Sequence, residues 1–155
     1  MAYYTALDLE TTDDGDILID GNGDLKIASP IRTMMQAINS AVLTNKGELH
    51  SEPTWGSDII KFYGETNSAQ TRNFIRMNIA EAIRQQGLAV SRDVDIDVIA
   101  IDINTAAILV TVVGQYLDID PDSPNFGAFI TPADDLTVAY TYPFISGELT
   151  RVSTT

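Results

Sequence analysis

The stretch RDVDIDVIAIDINTAAILVTVVGQYL, from Arg92 to Leu117, reads as two long strands joined by a tight turn at Asn104-Thr105. Side chains on a strand alternate between two faces. Val94, Ile96, Val98 and Ala100 therefore share one face, while Asp93, Asp95 and Asp97 share the other, which Ile99, Ile101 and Ile103 continue. The first strand is predicted half wet at its start and buried on both sides at its end. The return run, Ile108 to Val113, is apolar on both faces, the pattern of a strand sandwiched between layers. A hairpin of this kind is not stable alone in water, so the rest of the chain must cover it.

The cover is predicted to come from two helices. Ser29-Pro30 supplies an N-cap and a first-turn proline. Ile31, Met34, Met35, Ile38, Ala41 and Val42 then recur at helical spacing, so a helix is expected from about Pro30 to Thr44. Its polar face is Arg32, Thr33, Gln36, Asn39 and Ser40. Met34 and Met35 suit core filling or a soft binding face. A second helix is expected from Asn67-Ser68 to near Gln86, with Gly87 as its C-terminal glycine. Ile75, Ile79, Ala82 and Ile83 form its apolar face, widened by Phe74 and Met77. Between the two, Asp58 to Tyr63 fits one helical turn. Leu136 to Tyr142 reads as a third long strand stopped by Pro143.

Before the first helix, Ile17–Ile19 and Leu25–Ile27 flank Asp20-Gly-Asn-Gly-Asp24, turn chemistry for a small hairpin. A calcium loop would place a glutamate at the twelfth position, but counting from Asp20 that position is Ile31. The acids of Asp118 to Asn125 likewise read as a proline-containing solvated loop. No internal repeat is evident. The expected class is α+β: an antiparallel sheet of about three long strands, packed by two long helices. An N-terminal arm or hairpin (1–28), one domain (29–145) and a polar tail (146–155) complete the division.

With 155 residues, one domain is expected. The chain has no cysteine, so disulfides and thiolate metal sites are excluded. Its charge of −13, from 22 acidic and 9 basic residues, disfavours nucleic acid and anionic membranes as partners. The first ten residues do not have the form of a signal peptide, and no apolar run is long enough to span a bilayer. No metal or cofactor is expected. The single histidine, His50, sits beside Ser51 and Glu52, and neighbours in sequence rarely converge on one substrate atom. No Gly-x-Ser-x-Gly elbow, Walker loop or dinucleotide fingerprint occurs. A glycosidase remains arithmetically possible, with Glu52 and Asp58 flanking the Trp55 loop. Trp55 itself fits either an interface anchor or a core plug.

Several pieces then fall in a recognisable order. They are Asn22-Gly-Asp-Leu25, a helix closing as Leu43-Thr-Asn-Lys-Gly47, the loop Glu52-Pro53-Thr54-Trp55-Gly56-Ser57-Asp58, and the second helix with its following strand pair. From about Asn22 to Leu117 this order resembles the sheath-initiator family of baseplate wedge proteins in contractile-tailed phages. The resemblance implies a structural, non-enzymatic protein of the virion baseplate, made in the host cytoplasm, with six copies around the hub and tube. Implied partners are the tail sheath protein and the other wedge and hub proteins. Sheath arms would add strands to the sheet, and Leu136, Val138, Tyr140 and Tyr142 are the candidate receiving strand, though the pattern fits an ordinary internal strand equally well. Family members carry a Glu-Pro-Arg docking motif after the second helix. The matching place here reads Gly87 to Asp93, where only Arg92, beside Asp93, corresponds. Arg92 also fits a plain surface charge. Some relatives are described as lysozyme-like, which keeps a peptidoglycan-degrading enzyme using Glu52 and Asp58 as the alternative.

Overall fold

The computed structural model of the chain describes residues 2–4, 8–85, 94–112, 114–117, 122–130 and 136–152. The described residues include two α-helices, α1 (Pro30–Leu43) and α2 (Ala69–Gln85), and seven strands. These are β1 (Ala2–Tyr4), β2 (Val94–Ala100), β3 (Thr105–Val112), β4 (Gly114–Leu117), β5 (Phe129–Ile130), β6 (Leu136–Pro143) and β7 (Thr150–Val152). The main sheet runs β2-β3-β6-β7 and is antiparallel throughout; a small second sheet runs β1-β4-β5. The class is α+β.

Both helices start where the capping residues require. The Ser29 hydroxyl accepts from Arg32 N–H (3.3 Å), and the Ser68 hydroxyl accepts from Thr71 N–H (3.1 Å). α1 buries Met34, Ile38, Ala41 and Val42; α2 buries Ile75, Ile79, Ala82 and Ile83. They meet one face of the sheet, made of Ile96 from β2, Ala106, Ile108, Val110 and Val112 from β3, and Val138, Tyr140 and Tyr142 from β6. A 3-10 turn, Ile59–Phe62, puts Ile59 into the same core.

Four expectations are corrected. Ile101 and Ile103 are exposed because they lie in the connecting turn, residues 101–104, which begins ahead of the expected Asn104-Thr105, Thr105 being the first residue of β3; Ile99 is exposed because no described element covers the second face of the sheet there. For the same reason β3 alternates buried and half-buried residues instead of being buried on both faces. Phe74 and Met77 are also exposed, so the buried face of α2 is narrower than its apolar pattern. Finally, the tail is partly structural: Thr150–Val152 pairs with Ala139–Thr141 and closes that end of the sheet. Gly87 lies outside the described residues.

The small hairpin is one arm of a larger unit. Leu18 N–H donates to Glu10 C=O, Lys26 N–H to Leu18 C=O and Glu10 N–H to Lys26 C=O, at 2.8–2.9 Å. These three bonds close a ring. Bridges Thr11↔Ile17, Ile19↔Leu25 and Leu9↔Ile27 extend it as three arms, so residues 8–28 form a three-pointed star. The turns at 12–16 and 20–24 match in their backbone hydrogen bonds, each with a left-handed glycine, Gly15 and Gly23. An eight-residue repeat therefore exists where none was evident from sequence. Its trace is Thr12-Asp-Asp-Gly-Asp16 against Asp20-Gly-Asn-Gly-Asp24.

Candidate interaction surfaces

The loop carrying Trp55 is a latch on the end of α1. A helix leaves its last carbonyls without partners. Here the buried Ser57 hydroxyl donates to Val42 C=O (2.7 Å), and Ser57 N–H donates to Thr44 C=O (2.8 Å). Lys46 N–H returns a bond to Ser57 C=O (2.9 Å). Gly56 permits this approach: its φ is +102°, and a Cβ there would lie 2.4 Å from the Thr44 carbonyl oxygen. Asp58 fastens the loop onward. Its N–H donates to Asn78 Oδ1 on α2 (2.8 Å), and its carboxylate meets Lys61 at 2.7 Å and Lys46 at 3.8 Å.

Glu52 and Pro53 are exposed at the tip of this loop, while Trp55 is half-buried. A glycosidase acid is commonly set in an apolar pocket. Glu52 stands in the open and Asp58 between two lysines. Among the described residues no three His, Asp or Glu side chains group to hold a metal ion. Asp20 instead serves its own turn, accepting from the N–H groups of Asn22 (2.8 Å) and Asp24 (3.0 Å).

The β6 residues expected to receive a partner have other roles. Val138, Tyr140 and Tyr142 are buried. Tyr140 O–H donates to Asn39 Oδ1 on α1 (2.6 Å), and Tyr142 O–H donates to Ile59 C=O (2.9 Å). Burial raises the pKa of both phenols, that of Tyr142 to about 12. Leu136 pairs with Val112 at the start of β6. β6 is flanked by β3 and, over Ala139–Thr141, by β7, so it is an inner strand. Arg92 and Asp93 lie outside the described residues.

The long strand with only one neighbour is β2, which pairs with β3 alone among the described residues. Asp95 and Asp97 are exposed on its outer face. α2 runs beside it, and a cavity of about 230 Å³ between them is lined by the apolar Met77, Ala80, Ile83, Val94 and Ile96 together with the charged Glu81 and Arg84. The sequence contained this edge, since Asp95 and Asp97 interrupt an apolar strand, a pattern found on sheet edges.

At the far end of the sheet, the star is bolted to α1 and β7. Arg32 Nη2 donates to Thr11 C=O (2.8 Å) and stands 3.5 Å from Asp13. Arg151 of β7 also pairs with Asp13. Gln36 Nε2 donates to Leu9 C=O (3.0 Å), while Gln36 Oε1 accepts from Thr11 N–H (2.9 Å). The helix face read as merely polar is thus the seat of the N-terminal unit. Among the described residues, no helix is long and apolar enough to cross a membrane. No family model matches the chain, and no curated protein matches it.

Proposed function

We propose that this protein is a structural wedge subunit of a contractile phage-tail baseplate, and that it starts sheath assembly by accepting a strand from a sheath subunit. The observation that carries the reading is the β2 edge, which has no strand partner among the described residues. An edge strand offers unpaired N–H and C=O groups, and an added strand satisfies them. The receiving strand is accordingly β2 and not β6, whose backbone is engaged on both sides over Ala139–Thr141. Exposed Met77 and the cavity beneath it give apolar side chains of the incoming strand a place to bury. Asp95 and Asp97 favour lysine or arginine at the alternate positions. The surroundings of Glu52 and Asp58 favour this reading over the lysozyme-like alternative.

Hydrogen exchange tests it. Adding purified sheath protein is expected to slow exchange across residues 94–100 of this chain. Unchanged exchange at 94–100 in the presence of a sheath protein that binds would overturn strand addition at this edge.

A further inference from the structure

The star repeats one backbone notch three times. In each limb, the residue before the central one turns its C=O outward and the residue after it turns its N–H outward. This geometry follows from the pairing: residues 9, 11, 17, 19, 25 and 27 are all bridge partners whose ladder bonds are made by their neighbours. The notches are Leu9 C=O with Thr11 N–H, Ile17 C=O with Ile19 N–H, and Leu25 C=O with Ile27 N–H. The first is filled by the carboxamide of Gln36, which bonds to both groups. The other two have no partner among the described residues.

Large apolar side chains border the two open notches. Ile17 is 54% exposed, Ile19 65%, Leu25 55% and Ile27 61%. Four such residues on a unit of this size form a patch of the kind that marks an interaction site. The unit is also held rigid by its ring of hydrogen bonds and by the Arg32, Gln36 and Arg151 contacts, so little ordering is lost on binding. Charge selects the occupant. Residues 8–28 hold seven carboxylates and one lysine, and that lysine, Lys26, is engaged with Glu10 at 3.1 Å. A second copy, a nucleic acid or an anionic lipid surface would each be repelled.

We propose that the two open notches dock an extended segment of a basic partner protein. Its peptide amides take the place that the Gln36 carboxamide takes in the first notch, its apolar side chains cover Ile17, Ile19, Leu25 and Ile27, and its lysines or arginines face the surrounding aspartates. The site is separate from the β2 edge, since it adjoins β7 at the other end of the main sheet.

The test uses the full chain, isotope-labelled for amide NMR, and three short synthetic peptides that alternate lysine with isoleucine, glutamate with isoleucine, and lysine with serine. The lysine–isoleucine peptide is expected to shift and protect the Ile19 and Ile27 amides while leaving Thr11, already bonded to Gln36, unchanged. Its affinity is expected to fall about tenfold in the double variant Ile19→Thr with Leu25→Thr, a change of about 1.4 kcal/mol. A comparable fall is expected in the triple variant Asp14→Asn, Asp16→Asn and Asp24→Asn, and at about 0.5 M salt. Protection of the Glu10, Leu18 and Lys26 amides reports whether each variant keeps the star. If the apolar variant loses it, the charge variant and the wild-type shift map decide. The glutamate–isoleucine and lysine–serine peptides are expected to bind at least tenfold more weakly. Shifts confined to 94–100, shifts scattered over the acidic surface, or equal affinity for the variants would overturn the proposal. So would self-association that protects Ile19 and Ile27 without peptide.

Discussion

Tyr142 shows how one side chain binds layers together and makes the fold sensitive to alkali. Its ring lies in the core, edge-on to Phe144 with centroids 5.2 Å apart, and its hydroxyl supplies the donor for Ile59 C=O. Replacing it with phenylalanine keeps the ring but removes one of the bonds to that carbonyl, which the 3-10 turn also engages, a cost of about 0.5–1.5 kcal/mol. The urea midpoint of Tyr142→Phe at neutral pH is expected to fall accordingly. Burial also raises the phenol's pKa from the ordinary 10 to about 12. The folded state therefore holds this proton more tightly than the unfolded chain. The resulting stability is complete below pH 10 and drains away as pH rises through about 12. Urea midpoints of the wild type are expected to fall across that window, and the fall should be shallower in Tyr142→Phe. Equal slopes in the two proteins would show that the alkaline loss comes from elsewhere, Tyr140 being the next candidate, since burial raises its pKa too.

Among the elements, the N-terminal star depends on a helix for its place. Gln36 binds it as a strand would, through one donor and one acceptor. Gln36→Ala is expected to speed amide exchange at Thr11 by about tenfold or more, in line with the loss of about 1.4 kcal/mol of local protection. The amides of Ile75–Ile83 and Ala106–Val112 should stay as protected as before, because their core does not include the star. Equal loss in both regions would mean that the star and the core unfold as one unit. The arms of this star were legible in sequence, because Asp-Gly and Asn-Gly announce turns locally. Its closure was not, since the ring joins residues eight and sixteen apart and leaves only a faint repeat. Both helix starts and the end of α1 were legible within two residues, because apolar spacing and caps are local signals, while the expected end near Gln86 lies outside the described residues. The outer half of β2 was misjudged for a different reason. Ile99 states that a surface is apolar, but not whether another layer exists to cover it, and Ile101 and Ile103 carry the strand alternation on into what is a turn. β7 escaped notice because three residues, Thr-Arg-Val, carry no period at all. Of the candidate site, the loop from Glu52 to Asp58 was found as a motif. Its work as a helix latch appeared only once the Val42 and Thr44 carbonyls were seen at its centre.

Across the whole molecule, the helices cover one face of a four-stranded sheet and leave its two ends unlike. One end is the β2 edge, which has no strand partner among the described residues; the other is closed by β7 and carries the rigid, acidic star. On the two proposals made above, such a chain would hold two neighbours at once, one by strand pairing and one by charge and apolar contact. The same charge distribution strains the free protein. A net charge of −13 means that repulsion between carboxylates prevails, while among the described residues attraction comes from a few pairs such as those of Asp13 and Asp58. Salt weakens both, but exposed pairs contribute little each. With 22 acids against 9 bases, salt relieves more repulsion than it removes attraction. Raising sodium chloride from about 0.01 M to about 0.5 M shortens the Debye length from roughly 30 Å to under 8 Å. The melting midpoint at pH 7 is therefore expected to rise by several degrees, on the order of 1 kcal/mol for a domain of this size. A falling midpoint would mean that the clamps at Asp13 and Asp58 outweigh the repulsion. In that case the acidic surface would be held by specific internal pairs and would not be free to meet a basic partner.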